Sequence, residues 1–296
     1  MQKIDLFIGG AQKAGTTSMK NYLGEHPEIT THVAQEFSFF YDDQEFNRGL
    51  EYAFSHYFHK QSISNNKIVC KHAHFYTSEK AIIRLSQHNP DCKLIIIIRN
   101  PVERAYSSYL MEKLYSRVHF EFDEIVYALD GSNRLILEPW QQEAIISFGF
   151  YSIHLKNILK YFPEENVWLF LFDDFKKYPL TYVKHIFGKM GVEADYNPRV
   201  RQIHNQSSEA RSLLLSGLIK KILVEDNEIK KGIKKLFSGP ASLKLGSKIR
   251  DFNKKATEKK LISKDTQEFL VQYFKPYNDE LSAMTGIDLS HWNVVS

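Results

Sequence analysis

The chain has 296 residues, 43% of them apolar, so it is long enough to bury a sizeable core. Its formal net charge of +4 is small for this length and gives no indication of nucleic-acid binding. The longest aliphatic run, residues 94–98, is far too short to span a membrane, and the polar residues 1–5 do not resemble a signal peptide. Because only two cysteines are present, we predict a cytoplasmic protein without a disulfide framework.

An apolar run that breaks at two glycines opens the chain. Residues 4–8 predict a strand, the segment after them predicts a phosphate-binding loop, and residues 16–18 begin a helix. Gly10 and Gly15 allow backbone turns that are closed to residues with a Cβ, so successive N–H groups can point at one anion. The helix N-terminus favours negative charge, and Lys13 adds a mobile positive charge.

This loop has the G-x-x-x-x-G frame of a Walker A motif, but Thr16 stands where that motif has its lysine. A nucleoside-triphosphate kinase is therefore a poor fit, and a glycine-rich turn that merely joins strand to helix is the structural alternative. Residues 12–18 instead resemble the 5′-phosphosulfate loop of sulfotransferases that use 3′-phosphoadenosine 5′-phosphosulfate (PAPS). The resemblance implies that the loop residues binding this cofactor are Gln12, Lys13, Ala14, Gly15, Thr16, Thr17 and Ser18.

Glu36 follows a short alternating run, residues 29–33, that predicts a second strand. Ligand-binding groups collect at the carboxyl edge of open parallel sheets, and the phenylalanines beside Glu36 provide the apolar surroundings that suit a general base. A solvated loop residue is the alternative. Residues 35–40 resemble the Lys-Glu-x-x-Phe-Phe element of heparan-sulfate-type sulfotransferases and their bacterial relatives, which implies that Glu36 deprotonates the acceptor. Gln35 stands where lysine is usual and removes one positive charge.

A third predicted strand, residues 67–70, leads into a segment with one lysine and two histidines. His72 and His74 have no third ligand at a suitable spacing, so we predict no metal site. The segment resembles the family's Lys-Ser-Pro-x-Tyr element, which implies that Lys71 reaches the transferring sulfuryl group. His72 and Ala73 replace the serine and proline of that element, and His72 and His74 are second-choice bases.

Residues 93–98 are almost entirely apolar, which predicts a central strand in a parallel sheet that is covered on both faces. Arg99 follows this strand, where a magnesium-dependent P-loop enzyme commonly has an aspartate. A guanidinium group forms bidentate bonds to phosphate oxygens, which favours a second anion site; an ordinary ion pair is the alternative. Residues 99–107 resemble the family's Arg-x-Pro-x-x-Arg-x-Tyr-Ser element, which implies that Arg99 and Ser107 bind the 3′-phosphate.

The remaining segments are helical or charged. Aromatic helical segments within residues 108–147 predict cover for the sheet and part of an acceptor cleft. A fifth strand, residues 166–172, precedes Asp173 and Asp174, which stand where the family usually has glutamate but can also simply cap a helix.

Paired lysines recur between residues 199 and 260. Such runs ordinarily form a solvated face. The more specific hypothesis is a basic lid over PAPS or an anionic acceptor. Residues 204–208 and Arg211 lie at the start of this segment, where they could reach the nucleotide. The C-terminal residues 269–292 again resemble bacterial sulfotransferases.

These observations predict one α/β domain over residues 1–296, a three-layer P-loop-type fold with a central parallel sheet of about five strands. Residues 1–198 would form the core with the PAPS-binding motifs, and residues 199–296 a basic helical lid and C-terminal extension packed on it. The resemblance implies metal-independent sulfuryl transfer from PAPS to a hydroxyl or amine of a saccharide or small-molecule acceptor. Glu36 is the predicted base, and Lys13 and Lys71 are predicted to stabilise developing charge. A P-loop phosphotransferase and a non-catalytic polyanion-binding module are the alternative functions.

Overall fold

The computed structural model describes residues 2–58, 66–132, 134–199, 208–210, 254–256 and 262–295. Two compact units divide the chain: the first is Met1–Arg104, Phe148–His204 and Phe274–Asn293, and the second is Ala105–Ser147, Asn205–Tyr273 and Val294–Ser296. Most of the predicted lysine-rich lid lies outside the described residues, as do His204 and Arg211. The lid and its nucleotide contacts therefore stay predictions.

A five-stranded sheet forms the centre of the first unit. Its strands are β1 (Leu6–Gly10), β2 (Ile29–Thr31), β3 (Lys67–Lys71), β4 (Lys93–Ile98) and β5 (Val167–Leu171). Two further strands, β6 (Ser208–Ala210) and β7 (Lys254–Ala256), form a separate antiparallel pair.

Helices make up most of the remaining described structure. The α-helices are α1 (Thr16–Leu23), α2 (Asp43–Asn47), α3 (Leu50–Tyr57), α4 (Glu79–His88), α5 (Pro101–Leu114), α6 (Val126–Leu129), α7 (Pro139–Gln141), α8 (Tyr151–Leu159), α9 (Phe172–Lys177), α10 (Pro179–Met190) and α11 (Lys264–Thr285). Short 3₁₀ turns lie at Phe75–Thr77, Phe122–Ile125, Ser147–Gly149, Glu164–Asn166 and Ser290–Trp292, and a π-helical turn lies at Gln142–Ile146. None of the described helices is both long enough and apolar enough to cross a membrane.

All five strands of the central sheet are parallel, in the order β2-β3-β1-β4-β5. The chain places β2 and β3 on one side of β1 and then β4 and β5 on the other. In such open sheets, ligands bind in the crevice outside the carboxyl ends of the strands, where the direction of winding reverses. The predicted α/β fold with a central parallel sheet is confirmed, and this topology directs attention to the loops after β1, β3 and β4.

The burial of the strands explains why an apolar sequence occupies the centre. Every residue of β1 and every residue of β4 after Lys93 is buried. The Phe7 ring on β1 lies 4.5 Å from the Phe75 ring and 6.0 Å from the Phe40 ring, measured between centroids. Phe37 lies 6.0 Å from Phe40 in the same aromatic cluster. This cluster anchors the segment after β2 to the central strand.

The start of α5 follows β4 after a very short connection. The Asn100 Oδ1 atom accepts hydrogen bonds from the Val102 N–H at 3.0 Å and the Glu103 N–H at 3.4 Å, and Pro101 occupies the first helical position. Arg99 is therefore held between a buried strand and a capped helix.

The predicted helical C-terminal extension is present as α11. Within the first unit, the helix from Phe274 onward packs on the segment that leads into α8. A Cβ on Gly149 would lie 2.8 Å from the Phe274 ring, so glycine permits this close approach. Lys156 and Glu280 form an ion pair between the two helices.

Aromatic packing also organises the part of the second unit that follows α5. The Tyr106 and Phe122 ring centroids lie 5.0 Å apart, and the Tyr109 hydroxyl donates to the Phe120 carbonyl at 2.9 Å. The predicted aromatic helical segments are thus present, but the acceptor cleft assigned to them stays a prediction.

Candidate active site

The loop between β1 and α1 turns through two residues with left-handed backbone conformations. The φ angles are +70° at Lys13 and +83° at Gly15, and α1 begins immediately afterwards at Thr16. A Cβ on Gly15 would lie 3.2 Å from the Phe172 ring, so both the backbone angle and the close contact favour glycine there. The first N–H groups of a helix have no partner within the helix, so the start of α1, at the carboxyl end of β1, is suited to an anion.

Glu36 is fixed at the same edge of the sheet. Its Oε1 lies 2.5 Å from the Lys71 Nζ, and its Oε2 accepts the Ala73 N–H at 2.9 Å. The neighbouring Phe37 N–H donates to the Lys71 carbonyl at 2.8 Å, which extends the contact between the β2 and β3 segments. The Phe37 ring is buried, whereas the Glu36 side chain is 31% exposed. The carboxylate is therefore held in place and still accessible.

Lys71 connects three segments that the sequence analysis had singled out separately. Besides Glu36, its ammonium donates to the Thr17 Oγ1 and to the Gln35 carbonyl, both at 3.2 Å. The side chain is only 1% exposed. An ammonium has three N–H donors, and each one has an acceptor here. Lys71 would have to break one of these hydrogen bonds to contact a bound sulfuryl group.

A buried lysine that the sequence analysis did not assign to the site supports this arrangement. The Lys20 ammonium on α1 donates to the carbonyls of His32 at 3.1 Å and Ala34 at 2.9 Å, in the segment that leads to Glu36. Burial, followed by the charge of Lys71, lowers the pKa of Lys20 to about 8. The sequence does place Lys20 on the apolar face of α1, three residues before the buried Leu23. This position is the signal that could have identified it as a buried lysine.

The second-choice bases lie nearby but in apolar surroundings. The His72 ring stacks on Tyr41 at a centroid distance of 4.3 Å, and the His74 ring lies 4.9 Å from Phe148. Burial is the largest cause that lowers the pKa of His72 to about 3 and that of His74 to about 4. A neutral imidazole with so low a pKa is a weak proton acceptor at neutral pH.

These buried histidines predict that the protein loses stability in mild acid. Burial lowers the pKa of His32 to about 2, and His72 and His74 also lie well below the ordinary value of 6.5. As the pH falls below 6.5, the unfolded chain binds protons that the folded chain does not, so stability is complete above pH 6.5 and decreases below it. At pH 5 we expect a loss of about 2 kcal/mol for each independent histidine, measured by urea unfolding at pH 7 and pH 5.

A pair of variants tests whether the histidines cause this loss. His72→Phe retains an aromatic ring against Tyr41 and should weaken the pH dependence. Replacing the exposed His56 with glutamine is the control, and it should leave the pH dependence of stability unchanged. An equal loss of stability between pH 7 and pH 5 in His72→Phe and in the parent protein would contradict the explanation.

Arg99 lies directly after β4 and connects this strand to the loop. Its NH1 donates to the Lys13 carbonyl at 3.4 Å, and its guanidinium carbon lies 5.0 Å from the centre of the Phe172 ring. The Nε and NH2 groups donate to the Glu103 Oε2 at 3.2 and 2.7 Å. Ser107 is buried and belongs to the second unit, so its joint role with Arg99 stays a prediction.

No group of three or more histidine, cysteine or carboxylate side chains suited to a metal ion occurs within the described parts of the chain. The seven loop residues lie on one continuous turn and the start of α1. Hydrogen bonds bring Thr17, Lys71 and Glu36 together, and a further bond joins Lys13 to Arg99.

Comparisons with known proteins identify the family of this chain. A family model described as "Sulfotransferase domain" matches residues 3–235. The mouse protein "Bifunctional heparan sulfate N-deacetylase/N-sulfotransferase 3" is 27% identical over 199 residues, which cover 64% of this chain and 22% of that protein. The human protein "Bifunctional heparan sulfate N-deacetylase/N-sulfotransferase 2" is 26% identical over 163 residues, which cover 53% and 18%. The alignments thus span less than a quarter of either relative's length.

A solved structure supports the fold over nearly the full chain. The "Crystal Structure of Sulfotransferase from Alicyclobacillus acidocaldarius" aligns with a TM-score of 0.66 and 22% identity, and the alignment covers 99% of this chain and 100% of that chain. Since the family model matches well over half of the residues, this protein belongs to the sulfotransferase domain family.

Proposed function

We propose that this protein transfers the sulfuryl group of PAPS to a hydroxyl or amine of a saccharide or small-molecule acceptor. The observation that carries the proposal is the Lys71 ammonium, which bonds both to Glu36 and to Thr17 beside the phosphate loop. A proton acceptor, a positive charge and an anion-binding helix start thus belong to one hydrogen-bond network. Membership of the sulfotransferase family supports the reaction class.

The residues of this network fit the chemistry of a phosphosulfate donor. The left-handed turns at Lys13 and Gly15 and the start of α1 suit an anionic group, so we assign the 5′-phosphosulfate to residues 12–18. When bound, PAPS supplies the sulfuryl group and retains the electron pair of the broken S–O bond as 3′-phosphoadenosine 5′-phosphate (PAP).

Each proposed catalytic group has a separate task. Glu36 accepts the proton that the acceptor hydroxyl or amine loses as its oxygen or nitrogen bonds to sulfur. Lys13 and Lys71 stabilise the negative charge that develops on the bridging and sulfuryl oxygens, and fixed donors of this kind are often the largest catalytic contribution. None of these tasks requires a metal ion.

Arg99 is the proposed ligand of the 3′-phosphate, so Arg99→Ala should remove most of the preference for PAP over ADP. Charge-assisted hydrogen bonds contribute about 1.5–3 kcal/mol, so we expect PAP to bind roughly ten- to hundredfold more weakly. Isothermal titration calorimetry with PAP and ADP measures both affinities.

Two further variants control for the loss of charge. Arg48→Ala also removes one positive charge, from an arginine whose guanidinium donates to the Tyr52 hydroxyl, and it should not change PAP affinity. Arg99→Lys keeps the charge but loses bidentate geometry, so its affinity should be intermediate. Equal affinity of the parent protein for PAP and ADP would rule out the 3′-phosphate assignment.

Two other functions predict different ligands. A P-loop phosphotransferase would be stabilised by ATP with magnesium, although Thr16 and Arg99 stand where such enzymes have lysine and aspartate. A polyanion-binding module would be stabilised by heparin alone. Thermal unfolding with PAP, PAPS, ATP with magnesium, and heparin distinguishes the three, because a ligand that binds only the folded state raises its melting temperature.

The identity of the acceptor is the least constrained part of the proposal. The mouse and human relatives carry heparan sulfate in their names, which makes a saccharide the first acceptor class to test for this chain. The cytoplasmic location and the organisation as a single domain remain predictions. An assay of sulfate transfer from PAPS to saccharides and small alcohols or amines tests the acceptor class directly.

A further inference from the structure

The carboxylate of Glu103 occupies the edge of Arg99 that a phosphate would use. Both the Nε and the NH2 of Arg99 point at a single atom, the Glu103 Oε2, at 3.2 and 2.7 Å. These two donors form the fork with which guanidinium groups bind phosphate oxygens in a bidentate manner. A phosphate and Glu103 therefore cannot both use this fork.

Arg99 does not depend on Glu103 for its position. The guanidinium lies over the Phe172 ring, and its NH1 bonds to the Lys13 carbonyl. Its backbone is fixed as well, because the Tyr151 hydroxyl donates to the Arg99 carbonyl at 3.0 Å. The arginine is thus held from three directions without the carboxylate.

Glu103 is the partner that can move. Its side chain is 49% exposed, whereas that of Arg99 is only 14% exposed. Because Glu103 is half exposed, its carboxylate can rotate into solvent, where water replaces Arg99 as its hydrogen-bond partner. Exchange of the carboxylate for another anion is therefore accessible without a change in the fold.

A second carboxyl group, that of Asp173, is repelled by the charge of Glu103. The pKa of Asp173, in the first turn of α9, is raised by burial and then by the charge of Glu103. An arriving phosphate would meet the same repulsion from Glu103 until that side chain turned away.

We propose that Glu103 is an internal anion that binds Arg99 in the free protein and is replaced by the 3′-phosphate of the nucleotide. The inference rests on the proposed use of PAPS. It makes Glu103 a residue that weakens nucleotide binding and accelerates PAP release, rather than one that supports Arg99.

The test is the affinity of Glu103→Gln for PAP and for AMP, which lacks the 3′-phosphate. Removal of one competing anion should tighten PAP binding by about three- to tenfold, with AMP binding unchanged. The rate of PAP dissociation, measured by stopped-flow fluorescence, should decrease by a similar factor. Glu51→Gln is the matched control, because Glu51 is also an exposed acid in the first turn of a helix, and it should not affect PAP.

The possible results separate this inference from the proposed function. Unchanged or weaker PAP binding by Glu103→Gln would overturn the inference and leave PAPS use intact, and so would an equal gain for AMP and PAP. Absence of PAP binding by the parent protein and by the variant would overturn the proposed function, and the role of Glu103 with it. Thermal unfolding without ligand verifies that both variants are folded.

Discussion

Glu36→Gln is expected to lower the turnover number by about two to four orders of magnitude, the usual contribution of general acid–base catalysis. The amide retains an oxygen that can accept the Ala73 N–H, so the segment should keep its position. PAP affinity should be unchanged, because this side chain belongs to the acceptor side of the proposed reaction. Steady-state kinetics and calorimetry on the same preparation measure the two quantities.

Glu28→Gln is the control for this substitution. Glu28 immediately precedes β2, whereas Glu36 follows its carboxyl end. The Glu28 carboxylate accepts the Glu193 N–H at 3.2 Å. This control should keep full turnover. Near-normal turnover in Glu36→Gln, together with a large loss in His72→Ala or His74→Ala, would instead assign the base to a histidine.

Local sequence patterns were sufficient for the strands and for the turn between β1 and α1. Glycine spacing predicts the turn at Gly15, and continuous apolar residues predict the central position of β4. Both signals act within a few residues, where backbone conformation and burial follow from residue type. The parallel fold then follows from the alternation of strands and helices.

The pairing within the site could not be predicted in the same way. Glu36 and Lys71 are 35 residues apart, and their contact depends on the parallel register of β2 and β3, in which Thr31 lies opposite Val69. The sequence places each residue after a strand but does not specify which strands are neighbours. The bond between Lys71 and the loop residue Thr17 is likewise a product of sheet order.

Two charged residues illustrate why side-chain roles require the structure. Lys20 resembles a surface lysine in the sequence, yet its ammonium is buried against the carbonyls that precede Glu36. Glu103 resembles an ordinary acid in the first turn of a helix, yet it binds the proposed phosphate ligand Arg99. In both cases the role of the side chain depends on the group that it contacts, and the residue type alone does not specify that group.

Lys71→Met should destabilise the protein and abolish turnover together. The methionine fills similar space, but the Glu36 carboxylate loses its ion pair in a site where only 31% of its side chain is exposed. Removing one partner of a buried ion pair typically costs about 3–5 kcal/mol. Because Glu36 is partly exposed, we expect a loss of about 3 kcal/mol. Urea unfolding at pH 7 measures the free energy, and sulfate transfer from PAPS measures turnover.

Lys67→Met is the matched control on the same strand. Lys67 begins β3 and lies 3.4 Å from Asp5, but its side chain is 43% exposed, whereas that of Lys71 is 1% exposed. An exposed pair contributes at most about 1 kcal/mol, so this variant should remain stable and active. A loss in Lys67→Met as large as that in Lys71→Met would mean that the strand tolerates no substitution, and that burial of the pair is not the cause.

The double variant Lys71→Met/Glu36→Gln separates stability from catalysis. Its neutral amide needs no counter-charge, so it should recover most of the stability that Lys71→Met loses. It should nevertheless remain inactive, because both the proposed base and the proposed stabiliser of developing charge are absent. If the double variant were no more stable than Lys71→Met, the ion pair would not account for the loss; if it regained turnover, neither residue would take part in sulfuryl transfer.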